Sequence, residues 1–488
     1  MPSPTEWISR SVARLRAPAS DAQNAAFTGQ PTPVDATPTA AARATQDRLQ
    51  ATLRRGTEAL SPRALRRLLT ELQAVADPMV SDIEAGKCAQ EIAAWYAQAS
   101  SEARYDMWVL LCEQFAPDIS HFQAAYARFE SAKDTADKLQ AEIELRRALT
   151  SPRTRLLQRC AVFPQGVRFL VDLRAELLPH LKKDKRLQAL DAELEQLFTS
   201  WFDVAFLELQ RLSWDSPASL IEKLIKYEAV HDIRSWADLK NRLDSDRRCY
   251  GFFHPRLPNE PLIFVEVALV EGISTSITPL LDEAAAHQDI SRAHTAIFYS
   301  INNTQTGLRG VSFGDSLIKH VVETLSAEFP RLRTFATLSP IPGFRAWLSK
   351  NAAHMLQRLE DKPRQELLRA LSAEQLEAAV FLNAAEQALS LPANSPVRQL
   401  LMRCAAHYLG SEMPKGQPAD PVARFHLGNG ARVEQLNWAA DPSPKGMKQS
   451  YGLMVNYLYD LKRLDKHRLM LARGRPAVSR DVESLAKF

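Results

Sequence analysis

The sequence predicts an α+β protein of two domains, an all-α helical bundle followed by an α/β domain. Three observations carry this expectation. The 488 residues exceed a single domain of ~100–200 residues. Helical periodicity covers residues 46–199 without strand-like runs. After about residue 200, β-branched runs alternate with helices and glycine-bearing loops. The limits read as a tail over 1–45, the bundle over 46–199 and the second domain over 200–488.

Composition narrows the function classes. Lys plus Arg is 61 and Asp plus Glu is 57, a formal net charge of only +4. A dedicated nucleic-acid binder carries a basic stripe, so no nucleic-acid partner is expected. There is no run of about 18 apolar residues, so no membrane partner is expected either. The most apolar stretch, Leu262–Val270, is short and interrupted by Glu266. Cys88, Cys112, Cys160, Cys249 and Cys404 are far apart and form no CxxC pair. Free thiols in a reducing compartment follow, with the cytoplasm as the default and one inter-subunit pairing left open. A soluble multi-domain enzyme remains.

The tail Ala17–Ala42 is rich in Ala, Pro and Thr and has little to bury, so it reads as disordered. Before it, WISRSVARLR (Trp7–Arg16) is basic and has some character of an organelle transit peptide; a solvated tail is the simpler reading. No apolar segment follows the first residues as a secretory signal requires. In the bundle, Leu65, Leu68, Leu69, Leu72 and Val75 recur at helical spacing, and Arg63, Arg66 and Arg67 read as the solvated side. Ser61-Pro62 and Ser151-Pro152 read as helix starts, serine capping and proline at the first position. The same step recurs at Ser216-Pro217 and Ser395-Pro396. The bundle shows no metal-ligand spacing, which favours a scaffold or oligomerisation role.

In the second domain, Ser216–Tyr227 and Ser235–Leu243 read as helices, and Leu262–Val270 and Thr295–Ile301 as strands. A loop over Asn302–Gly314, a helix over Asp315–Phe329 and a strand over Thr334–Leu338 follow, so parallel strands with a crossover are expected. Helices return over Arg345–Leu409, and Phe425–Tyr459 mixes a Gly428-Asn429-Gly430 turn with strand-like segments.

Three places offer chemistry. TQTGLRGVSFGD (Thr304–Asp315) brings Gly307, Gly310 and Gly314 between a strand and a helix. Such a loop lets backbone N–H groups approach a phosphate, yet it is neither a P-loop nor a dinucleotide fingerprint. A plain βα turn is the competing reading, although ordinary βα loops run only ~2–6 residues. Ser339, in LSPIPGF (Leu338–Phe344), lies at the carboxyl end of a predicted parallel strand, where open sheets bind ligands. A turn serine bonding its own backbone is the alternative. His426, in FHLGNGA (Phe425–Ala431), lies beside the Asn-Gly turn and reads as presented near a loop; a histidine without function is the alternative there.

Taken together these stretches resemble the malonyl-CoA decarboxylase family. The matching segments are TQTGLRGVSFGDSLIKHVV (Thr304–Val322), FATLSPIPGFRAWL (Phe335–Leu348), PVARFHLGNGARVEQLNW (Pro421–Trp438) and YGLMVNYLYDL (Tyr451–Leu461). The resemblance spans about residues 200–460. It implies a helical N-terminal domain, a GNAT acetyltransferase-like catalytic domain, and cleavage of malonyl-CoA to acetyl-CoA and carbon dioxide. It makes Ser339 and His426 catalytic and in contact with substrate. It puts the CoA pyrophosphate and malonyl thioester at Arg309, Gly310, Val311, Ser312, Phe313, Gly314 and Asp315. Tyr459 would lie beside the site, with Asn429 supporting, and the protein would be a homodimer or homotetramer. The chain ends Ala486-Lys487-Phe488, which departs from Ser-Lys-Leu, so peroxisomal targeting is not supported. The thioester is its own electron sink, so no metal and no cofactor are expected. Two other readings stay open, an acyl-CoA-dependent acetyltransferase on the same fold and a non-catalytic malonyl-CoA-binding scaffold. Acetyl transfer to an amine would favour the first, and tight binding without turnover the second.

Overall fold

The computed structural model describes residues 59–285, 288–311 and 317–488; the expected tail over 1–45 lies outside them. The chain divides into two units. The first holds the described residues up to Trp201 together with the described part of 305–312. The second holds 202–304 and the described residues beyond 312.

The first unit is helical: α1 Pro62–Ala76, α2 Asp82–Gln98, α3 Ser101–Gln114, α4 Ile119–Glu130, α5 Thr135–Leu149, α6 Pro152–Cys160, α7 Gly166–Leu177 and α8 Gln188–Trp201. In α1 the five apolar positions, Leu65, Leu68, Leu69, Leu72 and Val75, are all buried on one stripe. Ser61 caps this helix by accepting the Ala64 N–H at 3.3 Å, and Ser151 caps α6 by accepting that of Thr154 at 3.3 Å.

The second unit begins with β1 Glu208–Leu212, α9 Ala218–Tyr227, α10 Trp236–Arg242, β2 Arg247–Phe253, β3 Ile263–Val270, α11 Thr278–Leu281 and β4 Thr295–Asn303. It continues with α12 Leu317–Glu328, β5 Thr334–Thr337, β6 Ser339–Pro340, α13 Phe344–Gln357, α14 Asp361–Leu371, α15 Ala378–Ala385 and α16 Pro396–Ser411. The last elements are α17 Pro421–Gly428, β7 Arg432–Asn437, α18 Pro444–Ser450, β8 Met454–Leu458, α19 Leu464–Ala472 and α20 Arg480–Leu485. One sheet runs in the order β1-β2-β3-β4-β5-β8-β6, with β7 on β8. β4 and β5 are parallel, while the other pairings are antiparallel. The expectation of parallel strands therefore holds for this pair alone, and the unit is α+β.

Alternation along the strands builds the core. Ala268 and Val270 of β3, Ile297 and Tyr299 of β4, and Ala336 with Leu338 share one face, packed against Ile277, Leu280, Ala440 and Met454. Two Ser-Pro steps behave differently from the expectation. Ser216 accepts the Ser213 N–H at 3.0 Å, closing a turn, and α9 starts after it without a side-chain cap. Ser395 precedes α16 but makes no cap bond. Among the described residues no helix is long and apolar enough to cross a membrane.

Candidate active site

Ser339 does not sit on a turn as expected. Its segment pairs with β8, Ser339 opposite Val455 and Pro340 opposite Met454. The period of two that sends Ala336 and Leu338 into the apolar cluster sends Thr337 and Ser339 to the other face. Pro340 removes an N–H, and Gly343 N–H then donates to Asp420 Oδ2 at 3.2 Å. A Cβ on Gly343 would lie 2.3 Å from the Tyr408 hydroxyl oxygen, so only glycine lets this turn approach so closely.

His426 is not near an open loop either; it lies in the last turn of α17. Asp420 caps this helix, accepting the Val422 and Ala423 N–H groups at 2.9 and 3.1 Å, and Pro421 occupies the first position. Ala423, His426 and Leu427 form its buried stripe. The Asp-Pro start outweighs the Gly-Asn-Gly signal, which acts only at the helix end. Asn429 Nδ2 donates to the Phe425 carbonyl at 2.8 Å, so Asn429 closes the helix and makes no bond to His426. Asp420 thus ties the Gly343 turn, which follows the Ser339 strand, to the His426 helix; burial raises its own pKa against the pull of its N–H donors.

The structure brings Ser339, His426 and Tyr459 together. Ser339 Oγ is 3.3 Å from His426 Nε2, and His426 Nδ1 is 2.7 Å from the Tyr459 hydroxyl. Ser339 is 6% and His426 3% exposed. Burial pushes the His426 pKa down to about 3, so the ring is neutral at neutral pH even though a helix end favours a cation. Burial also raises the pKa of Tyr459, which keeps its proton.

Hydrogen counting orients this chain. The Ser339 hydroxyl donates to Thr337 Oγ1 at 2.8 Å. Its single hydrogen is then in use, so the contact with the ring has Nε2–H donating to Ser339 Oγ. A neutral imidazole has one N–H, so Nδ1 accepts from the Tyr459 hydroxyl.

Several partners were not expected. Thr337 stands two residues before Ser339, and Tyr457 two before Tyr459; strand alternation is the signal that finds both. The Tyr457 ring stacks on His426 at 4.6 Å between centroids and 26° between planes. Its buried hydroxyl has no hydrogen-bond partner among the described residues.

Arg309, Gly310 and Val311 belong to the first unit. There the buried Arg174 guanidinium donates to the Gly307 carbonyl at 2.9 Å and that of Arg309 at 2.8 Å. Asp191 and Glu195 hold its other nitrogens, at 2.8 and 3.1 Å. Gly310 has φ of +85°, a backbone that glycine adopts freely. Ser312, Phe313, Gly314 and Asp315 lie outside the described residues.

Comparison with known proteins follows the same lines. A family model described as malonyl-CoA decarboxylase C-terminal domain matches residues 205–487, and one described as the N-terminal domain of that enzyme matches 115–202. The mitochondrial malonyl-CoA decarboxylase of Mus musculus is 36% identical over 397 residues, covering 77% of this chain and 80% of that one. The crystal structure of malonyl-CoA decarboxylase from Agrobacterium vitis is similar with a TM-score of 0.76 and 38% identity, covering 86% of this chain and 99% of that one. The structure from Rhodopseudomonas palustris gives 0.74 and 39%, with the same coverage of 86% and 99%.

Proposed function

Because the chain belongs to the malonyl-CoA decarboxylase family, and is a carboxy-lyase that converts malonyl-CoA to acetyl-CoA and carbon dioxide, we propose that Ser339 and His426 carry its proton transfer. When carbon dioxide leaves, the electrons of the broken C–C bond pass into the thioester carbonyl and form an enolate. Carbon two must then take a proton, one per turnover. The observation that carries the assignment is the 3.3 Å contact between Ser339 Oγ and a neutral His426 whose Nδ1 is held by Tyr459.

His426 acts in this reading as a neutral acid. A neutral imidazole gives up a proton reluctantly to water but readily to a thioester enolate, a far stronger base. With malonyl-CoA bound, the Ser339 hydroxyl hydrogen turns from Thr337 and passes to carbon two, and the Nε2 hydrogen replaces it on Oγ. The Tyr459 hydroxyl, donating to Nδ1, stabilises the negative charge this leaves on the ring until solvent restores the proton. The stretch Arg309–Asp315 takes the CoA pyrophosphate, a role supported by its glycines and by the family resemblance.

The sheet unit is a GNAT acetyltransferase-like fold in this proposal. Antiparallel β2, β3 and β4 followed by a parallel β5 across α12 support it. The helical unit carries a homodimer or homotetramer contact, and exposed Ile119, Tyr126, Leu139 and Ile143 on α4 and α5 support that role. Five unpaired cysteines, four of them buried, fit a reducing compartment, the cytoplasm.

The test is direct. Purified protein given malonyl-CoA releases acetyl-CoA and carbon dioxide, and Ser339→Ala and His426→Ala each lower turnover by ~10²–10⁴-fold. Near-unchanged turnover in His426→Ala would overturn the assignment of the proton donor.

A further inference from the structure

We propose that Thr337 is a positioning residue for this reaction: its hydroxyl oxygen takes the Ser339 hydrogen and so holds His426 in the form protonated at Nε2. The proposal rests on the reading of Ser339 and His426 above and extends it to a residue that makes no hydrogen bond to His426.

The geometry around Thr337 is closed. The residue is fully buried. Its Oγ1 accepts the Tyr457 backbone N–H at 3.1 Å as well as the Ser339 hydroxyl at 2.8 Å. Its carbonyl accepts from Asn456 Nδ2 at 2.7 Å, and Asn456 Oδ1 in turn accepts from Asn437 at 2.6 Å. The strand amide on one side and the asparagine pair on the other leave the Thr337 oxygen at a fixed place beneath Ser339. The partner next in reach of the Ser339 hydroxyl is His426 Nε2, at 3.3 Å. If Thr337 offered no acceptor, that hydroxyl would turn to Nε2 as a donor. The ring proton would then move to Nδ1, and Tyr459 would become an acceptor. One oxygen therefore sets the direction of three successive hydrogen bonds. In the reversed direction His426 has no hydrogen facing Ser339 and cannot replace the one that Ser339 gives away.

The test uses the full-length protein labelled with ¹⁵N-histidine. Imidazole nitrogen shifts distinguish a protonated from an unprotonated nitrogen, and His426→Gln identifies the His426 signals among the 11 histidines. In the wild type Nε2 is protonated. In Thr337→Val, which keeps the shape and removes the hydroxyl, the proton moves to Nδ1. In that variant kcat falls about tenfold, the size of one lost hydrogen bond, with KM for malonyl-CoA within about twofold. Thr337→Ser restores both readouts. If Thr337→Val does not fold, Thr337→Ala takes its place beside Thr337→Ser. A variant without the hydroxyl that keeps Nε2 protonated, or keeps its kcat, overturns the proposal. So does a fall in kcat without a change of tautomer, which marks a packing role alone. Failure of the underlying reading looks different: Ser339→Ala and His426→Ala would then keep their turnover, whatever the tautomer in the resting protein.

Discussion

In the sheet unit, Arg242 and His426 are both buried but their surroundings are closed in different ways. Arg242 Nε donates to Asp238 at 2.7 Å, and Nη1 to Glu266 at 3.1 Å; Nη2 reaches Asp238 at 3.3 Å and the Asp232 carbonyl at 3.5 Å. Around it, burial pushes the Glu266 pKa up to about 8, with the Glu228 charge adding to the rise. His426 has no charged partner within its hydrogen-bond chain; its neighbours are two hydroxyls and a stacked phenol. The difference shows what each cluster can do. A cation clamped by acids is fixed in one state, and losing a partner leaves a bare charge in the interior. A neutral chain of Ser339, His426 and Tyr459 can shift hydrogens along its length without separating a buried charge pair.

Substitutions can break this contrast or sharpen it. The largest effect is expected at the neutral chain, where Ser339→Ala and His426→Ala cut turnover by ~10²–10⁴-fold, read from carbon dioxide release. Next is Arg242→Met, which leaves the buried Asp238 without its cation and lowers unfolding stability by ~3–5 kcal/mol, read from the denaturant midpoint. A third test follows from the depressed His426 pKa. Below pH 6.5 the unfolded chain binds a proton at this histidine that the folded chain refuses until about pH 3. The His426 contribution is therefore fully present above 6.5 and is lost as pH falls toward 3, at about 1.4 kcal/mol per pH unit. Stability against pH in His426→Gln should lack this slope; an unchanged slope would mean His426 does not titrate this way. The smallest effect is expected for Tyr459→Phe, which removes one donor to Nδ1 and lowers kcat about tenfold.

The parts of this architecture that depend on neighbours in the chain are legible in the sequence. The buried stripe of α1 follows from the spacing of Leu65 to Val75, and Ser61 and Ser151 cap where a Ser-Pro step places them. Ser339, His426 and Tyr459 each stand out in the sequence, but their surroundings do not. The Gly-Asn-Gly turn hid the helix that Asp420 and Pro421 start, so His426 read as a loop residue. Ser216 shows the limit of a local rule, because a turn from Ser213 uses the hydroxyl that a helix start would need. Thr337 is invisible as a partner until Ser339 is known to continue a strand. The antiparallel neighbour of β5, β8, comes from more than 100 residues away, as Tyr457 N–H on Thr337 illustrates with a separation of 120. No periodicity encodes such a pairing.

The buried guanidinium of Arg174 bears on the order in which the protein is made. Its two carbonyl acceptors, at Gly307 and Arg309, lie 133 and 135 residues further along the chain. A ribosome adding ~5–20 residues per second needs roughly 7–27 s to deliver them. For most of that interval the nascent helical unit holds an arginine with its acidic partners Asp191 and Glu195 but without its backbone ones. The helices thus emerge early yet reach their final hydrogen bonding late, and the last piece to arrive is the segment holding Arg309.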